Sequence, residues 1–305
     1  MSRILVTGAS GFIGSACLPD LLARGYEVHA VLSPTREVPR DLTGLEGTEW
    51  DRVDLLDANA IASLIERAQA SHLLHLAWYA PGSWDAAENW PWVDASLDLL
   101  REFATAGGRR AVVTGTSAEY DYHRGDGVCS EDETPLDPQT IYGKSKHALF
   151  ERAAPLLAQT SAGLAWARIF SLYGPREEPT RLVPSVARAL LQEKPALCTA
   201  GLHKRDFLHV DDAARALGLL IDGDLVGPVN VGSGDAIEVR AVVEQVAAET
   251  GHEELVQYGV LPTREVDPPL LVADTQRIRE ELGFQPSIAL QEGIAESVAW
   301  WRGEM

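Results

Sequence analysis

The chain has 305 residues, a length that suits about two domains, and its 26 Lys and Arg against 45 Asp and Glu leave a net charge of −19, so no nucleic-acid partner is expected. At 46% hydrophobic and 23% charged it reads as a folded globular protein; no window reaches the ~20 apolar residues of a membrane span, and a strand-like run at Ile4 leaves no signal peptide, so the cytoplasm is the expected compartment. Cys17, Cys129 and Cys198 are too few and too scattered for a disulfide framework or a zinc site, and no metal is expected.

In chain order, the apolar run at residues 4–6 predicts a strand, TGASGFIG (7–14) a glycine turn, and the periodic segment 12–22 a helix stopped by Arg24 and Gly25. Pro19 lies inside that helix and costs ~3 kcal/mol unless a kink absorbs it. Strands follow at 27–32 and 53–57, a helix at 60–70, an apolar strand LLHLAW at 73–78, a helix at 97–106, the strand AVVTGTS at 111–117, a helix at 142–159 and a strand at 164–170. Apolar strands alternating with helices predict an α/β fold, a Rossmann-like doubly wound parallel sheet covered on both faces. After Phe170 the pattern changes to the loop SLYGPREEPTR and shorter mixed elements. Residues 171–205 and 233–305 are therefore assigned to a smaller, discontinuous C-terminal substrate-binding region. Residues 206–232 are expected to return to the nucleotide-binding domain formed by 1–170. There is no internal repeat. The acidic excess is dispersed, and its local clusters at 130–133 and 177–178 read as solvated surface.

Gly8, Gly11 and Gly14 form GxxGxxG between the first strand and the first helix. Glycines there let backbone amides approach a dinucleotide pyrophosphate that the helix N-terminus also attracts. The spacing departs from GxGxxG, and three glycines also suit a tight turn without a ligand. An acid at the end of the second strand would bind the ribose hydroxyls of NAD, but that strand runs out into Ser33, Pro34, Thr35 and Arg36. Hydroxyls and a guanidinium favour NADP(H), with NAD(H) the alternative; Arg36 also reads as an ordinary surface arginine. Asp54 is a candidate adenine partner or, alternatively, the cap of the next helix.

Tyr142 and Lys146 are four apart in IYGKSK, which places them on one helix face. A lysine ammonium near a phenol stabilises the phenolate and lowers the tyrosine pKa from ~10, so the tyrosine exchanges a proton near neutrality. An exposed i,i+4 pair is the plain alternative. The strand AVVTGTS ends at Thr116 and Ser117, hydroxyls suited to orienting a substrate oxygen.

Together these motifs resemble the extended short-chain dehydrogenase/reductase family, specifically its NAD(P)-dependent nucleotide-sugar epimerase/dehydratase/reductase group. The likeness also includes HLAW (75–78), TSAEY (116–120), YGKSK (142–146), RIFSLYGP (168–175), RDFLHVDD (205–212) and VADTQRIREELGFQP (272–286). The resemblance implies Tyr142 as acid/base, Lys146 as the residue that holds the nicotinamide ribose and tunes the tyrosine, and Thr116 as the substrate-orienting hydroxyl, with Ser117 the second candidate. It extends the cofactor site to Phe12, Ile13, Leu55, Leu76, Ala77, Trp78 and Thr114, and the substrate site to Ala118.

Family 4,6-dehydratases resemble TDE or TSE at this strand end, whereas Thr116 is followed here by Ser117 and Ala118. Glu119 is one residue late, and on an extended segment it would face the opposite way. Members that epimerise two carbons carry cysteine where Ala118 stands. Reduction of a 4-keto sugar and 4-epimerisation remain. The apparent NADP preference favours an NADPH-dependent nucleotide-sugar ketoreductase, with a 4-epimerase holding NAD(P) tightly as the alternative and a non-catalytic NADP sensor or a scaffold as further rivals.

Arg205 and Arg264 match family positions that bind the substrate pyrophosphate, and Arg181 is a further candidate; salt bridges to Asp206 and Asp267 are the plain alternative for the first two. Ser171 stands where the family often has asparagine. Trp78, Trp84, Trp90 and Trp92 either wall the sugar off from water or pack a long loop. His75 reads as a satisfied core histidine and His209 as structural. A homodimer through helices near Asp94 and Tyr142 is expected from the resemblance.

Overall fold

The computed structural model describes residues 2–79, 84–263 and 267–305. Its N-terminal half runs β1 (Arg3–Thr7), α1 (Phe12–Ala23), β2 (Glu27–Leu32), β3 (Thr48–Arg52), α2 (Ala58–Ala68), β4 (His72–His75), α3 (Asn89–Thr105), β5 (Arg110–Thr116), β6 (Val128–Cys129) and α4 (Ile141–Leu157). Next come β7 (Gly163–Ile169), β8 (Ser171–Tyr173), α5 (Leu182–Leu191), β9 (Ala196–Leu197), β10 (Lys204–His209), α6 (Val210–Asp222), β11 (Gly227–Val231) and β12 (Ala236–Glu238). The C-terminal part holds α7 (Val239–Thr250), β13 (Val256–Gln257), β14 (Leu270–Ala273), α8 (Gln276–Leu282) and α9 (Leu290–Glu304).

Seven parallel strands in the order β11-β7-β5-β4-β1-β2-β3 form the main sheet. The chain direction across the sheet reverses between β1 and β4, and ligands of open α/β sheets bind outside the strand C-termini at that switch. Apolar side chains from β1, β4, β5 and β7 point alternately to two cores. Ile4, Val6, Leu74 and Val112 pack with α1 and α6, while Leu5, Leu73, Val113 and Trp166 pack with α2, α3 and α4. After β8 the chain builds a second sheet, β12-β10-β14-β6 with β8 paired to β10, and a separate core containing Val183, Val186, Val243 and Val298. α6 then packs on α1, and β11 joins β7 at the edge of the main sheet. No helix among the described residues is long and apolar enough to cross a membrane.

Three elements differ from their sequence prediction for physical reasons. The third strand is Thr48–Arg52, not 53–57, because it is an edge strand with half-exposed charged positions and no apolar run. Val53 adds one more bond to Leu32 and then the chain turns. The predicted 73–78 strand leaves the sheet after His75, releasing Leu76, Ala77 and Trp78 toward the switch point. α3 starts at Asn89 rather than 97; polar bonds anchor its first turn, since the buried Asn89 donates to the Ala86 carbonyl at 2.9 Å and accepts from the Trp78 indole at 2.8 Å. Helix α1 runs through Pro19 without interruption.

Candidate active site

The cradle after β1 is shaped by close backbone packing. Gly8 has φ 71°, and a Cβ there would lie 2.8 Å from the Ala77 amide nitrogen; a Cβ on Gly14 would lie 2.3 Å from the Gly8 carbonyl oxygen. Gly11 starts α1 with no side-chain cap and no acid in the first turn, so the N-terminal amides of Phe12 and Ile13 and the helix dipole are left for an anion. This chemistry fits a dinucleotide pyrophosphate. At the end of β2, Ser33 and Thr35 hydroxyls lie 3.2 Å apart and exposed, and Arg36 is exposed with its carbonyl accepting from Arg52. Asp54 does not cap the next helix. Its Oδ1 accepts from the Leu56 amide at 3.0 Å, while Asp57 caps α2 through the Asn59 amide at 2.9 Å, a register set by the turn that follows β3. Leu55 is buried in the core beneath.

Beyond the cradle, a cavity of about 250 Å³ is lined by Phe12, Ile13, Leu76, Trp78, Thr114, Thr116, Tyr142 and Lys146, among others. Thr116 comes from the end of β5. Thr140 caps α4 by accepting from the Gly143 amide at 3.1 Å, so Tyr142 and Lys146 project one turn apart from the first turns of that helix. The buried Lys146 Nζ donates to the Thr114 carbonyl at 2.8 Å and lies 3.9 Å from the Trp78 ring centre. Burial pulls its pKa down to about 7, opposed by Glu119. Tyr142 behaves differently from the sequence expectation: burial pushes its phenol up to about 12, with Thr116 pulling it down, Glu119 pushing it up and Arg181 pulling it down. Lys146 is not among these influences, and desolvation dominates. Trp84 meets Tyr142 edge-on at 4.9 Å, and its carbonyl accepts from the Tyr142 amide at 2.8 Å.

Glu119 is not on an extended segment. Residues Ser117–Glu119 form one short helical turn that folds the carboxylate back under Thr116. Its Oε1 accepts from the Thr116 amide at 2.8 Å, and the same carboxylate accepts from Trp166 Nε1 at 2.9 Å and Arg168 Nε at 3.1 Å. In that turn the Ala118 amide donates to the Thr116 Oγ1 at 3.2 Å, and Ser117 and Ala118 fall outside the residues that border the Tyr142 cavity.

A second cavity of about 590 Å³ is lined by Ser171, Arg181 and Arg205, and shares Leu172, Glu177 and Arg181 with the Tyr142 cavity. Arg205 Nη1 donates to the carbonyls of Lys204 and Pro268, both at 2.8 Å. Its suggested partner Asp206 is fully buried and accepts instead from Ser233 and Gly234 amides at 2.6 and 2.9 Å, because alternate residues of β10 face opposite sides. Arg264 lies outside the described residues.

Residues 4–232 match the profile described as the NAD dependent epimerase/dehydratase family. The chain belongs to this family. A dTDP-glucose 4,6-dehydratase of Streptomyces griseus is 29% identical over 322 residues, covering 98% of this chain and 94% of the relative. The crystal structure of a Thermus thermophilus UDP-glucose 4-epimerase complexed with NAD superposes with a TM-score of 0.88 at 28% identity, covering 99% of this chain and 100% of the other. MoeE5, solved with UDP-glucuronic acid and NAD, gives 0.86 at 32% identity, covering 100% of both chains.

In this family member the structure brings together Thr116, Tyr142, Lys146, Thr114, Leu76 and Trp78, with Phe12 and Ile13 of the cradle. Of the tryptophans, Trp78 and Trp84 border the cavity, Trp92 packs 6.3 Å from Trp78, and Trp90 is exposed. His75 is a core histidine, bonded to Thr7 at 2.6 Å and Ser96 at 2.8 Å, with burial followed by Lys146 pulling its pKa down to about 3. His209 is buried and accepts from the Asp211 amide at 3.3 Å, capping α6. The sequence reading missed Glu177. Grouped with Glu178 as solvated surface, it is 6% exposed, because the turn after Gly174 carries it into the cavity wall.

Proposed function

We propose that this protein oxidises and re-reduces the C4 position of a nucleotide-linked sugar, a nucleotide-sugar 4-epimerase with tightly held NAD(P). The observation that carries this reading is the convergence of Thr116, Tyr142 and Lys146 on one cavity with no carboxylic acid at Ser117 or Ala118 for water elimination. Gly8, Gly11 and the N-terminus of α1 would hold the dinucleotide pyrophosphate, and Lys146 its nicotinamide ribose. When bound, the oxidised dinucleotide supplies a hydride acceptor and a positive charge.

The remaining steps belong to side chains of this chain. Thr116 and Tyr142 hydroxyls hold the sugar oxygen between them, and Tyr142 accepts its proton as the carbon is oxidised. The protonated phenol then returns the proton as the ketone is reduced from its opposite face. Lys146, fixed by the Thr114 carbonyl, favours the phenolate that begins and ends the cycle, against the burial that pushes the phenol pKa up. Arg181 and Arg205 bind the substrate diphosphate from the larger cavity.

Net NADPH-dependent reduction of a 4-keto nucleotide sugar is the second reading. It is favoured by Ser33, Thr35 and Arg36 at the end of β2, where no carboxylate opposes a 2′-phosphate. Proton NMR of UDP-glucose or dTDP-glucose incubated with the purified protein separates the two. Inversion at C4 with no net change in nicotinamide absorbance supports epimerisation; stoichiometric NADPH consumption on a 4-keto sugar without inversion supports reduction. Elimination of water from C5 and C6 would overturn both.

A further inference from the structure

Glu177 borders both the catalytic cavity and the larger substrate cavity. It is 6% exposed, and its Oε2 has no hydrogen-bond partner, a costly arrangement that a ligand would relieve. Its position comes from the backbone. After β8, Arg176 adopts a left-handed φ of 69°, unusual for a residue with a Cβ. This turn sends the Arg176 side chain outward to pair with Asp41, while Glu177 lies on the cavity side, its amide donating to the Gly174 carbonyl at 3.4 Å.

The charged and titratable groups around the catalytic cavity are Glu178, Arg181, Lys146 and Tyr142. Lys146 is engaged by the Thr114 carbonyl, and the Arg181 guanidinium lies 5.2 Å from the Trp84 ring centre. We propose that Glu177 is a specificity-determining residue that bonds a hydroxyl of the sugar ring and selects neutral hexoses over sugars bearing a carboxylate. Burial pushes its pKa up to about 8, with Arg181 pulling it down, so near neutrality it mostly holds its proton and offers both an O–H donor and a carbonyl acceptor. A neutral ring hydroxyl satisfies either. A uronate brings a third carboxyl group into a cavity already bordered by Glu177 and Glu178, and once Glu177 is ionised the like charges oppose its binding. The inference rests on the nucleotide-sugar reading above and names the sugar class within it.

The test is calorimetric titration of the protein with its cofactor at about pH 9, above the Glu177 pKa of about 8, using UDP-glucose and UDP-glucuronic acid as probes, on the wild type and on Glu177→Gln. The wild type is expected to bind UDP-glucose at least ~10-fold more tightly than UDP-glucuronic acid, the scale of one favourable contact. Glu177→Gln keeps a donor and an acceptor in the same shape. It should leave UDP-glucose affinity within about 3-fold and tighten UDP-glucuronic acid about 10-fold, again one contact's worth. If both probes bind and their ratio is the same in the two proteins, this inference falls and the nucleotide-sugar reading stands. If neither probe binds the wild type, both fall. A measurement independent of any variant is ¹³C NMR of glutamate carboxyls in the wild type: one should titrate near 8 and shift when UDP-glucose is added, and a spectrum with no such carboxyl overturns the inference.

Discussion

Glu119 and Arg168 form an ion pair at 3.1 Å with neither side chain exposing more than 1% of its surface. The pair lies directly beneath Thr116, since the same carboxylate accepts from the Thr116 amide. Breaking a buried pair from one side leaves an uncompensated charge and costs about 3–5 kcal/mol. Glu119→Ala should lose about that much unfolding free energy in urea titrations. At temperatures where it remains folded, its kcat should fall more than its cofactor affinity, because the turn that presents Thr116 is released.

Tyr142→Phe removes the proton-carrying oxygen and leaves the ring that Trp84 packs against. Turnover should fall ~10²–10⁴-fold, the usual contribution of a positioned acid/base, while NAD binding followed by tryptophan quenching stays within a few-fold. Retained turnover in this variant would remove the phenol from the mechanism.

Lys146 links stability to pH in the cofactor-free protein. Burial holds its folded-state pKa at about 7, against an ordinary value of 10.5. Below that folded value both states carry the proton. Between the two values the unfolded chain binds more protons, so this residue's contribution to unfolding free energy rises with pH. The stability difference between the wild type and Lys146→Met should therefore be flat below about pH 6 and climb from about 7 to 10, as read from denaturation at each pH. A flat difference throughout would mean that the ammonium stays charged in the fold.

Gly8 combines a φ of 71° with a 2.8 Å approach of its missing Cβ to the Ala77 backbone. Gly8→Ala should cost about 1–3 kcal/mol through strain and weaken NAD binding by at least ~10-fold, equivalent to 1.4 kcal/mol, because the cradle must open to admit the methyl group. Thermal unfolding and cofactor titration of the same variant check both effects.

Ser33 follows the last residue of β2, close to Thr35 and Arg36. Ser33→Asp places a carboxylate where a ribose acceptor belongs in the nucleotide fold. The ratio of NAD to NADP affinity should rise about 10-fold, the scale of one charge-assisted contact. An unchanged ratio would show that the end of β2 does not choose the dinucleotide.

Several features were legible in the residues alone because they depend on short-range order. The strand–glycine–helix unit at Gly8 to Gly14, the apolar strands of the sheet centre, and the four-residue spacing of Tyr142 and Lys146 are each set within a few turns of chain. Burial altered the expected chemistry: the same lysine that was to acidify Tyr142 sits in surroundings that push the phenol up. The amphipathic edge strand Thr48–Arg52 was hidden because its pairing with β2, not its own hydrophobicity, makes it a strand.

Tertiary structure alone decided which distant residues meet. Glu119 joins Arg168 across 49 positions of sequence, Trp84 covers Tyr142, and Glu177, one of two adjacent acids, turns from apparent surface into the wall between two cavities. Local sequence specifies conformations with a period of two or about four residues. Desolvation and long-range pairing depend on what the rest of the fold places around a side chain, and no local pattern encodes that.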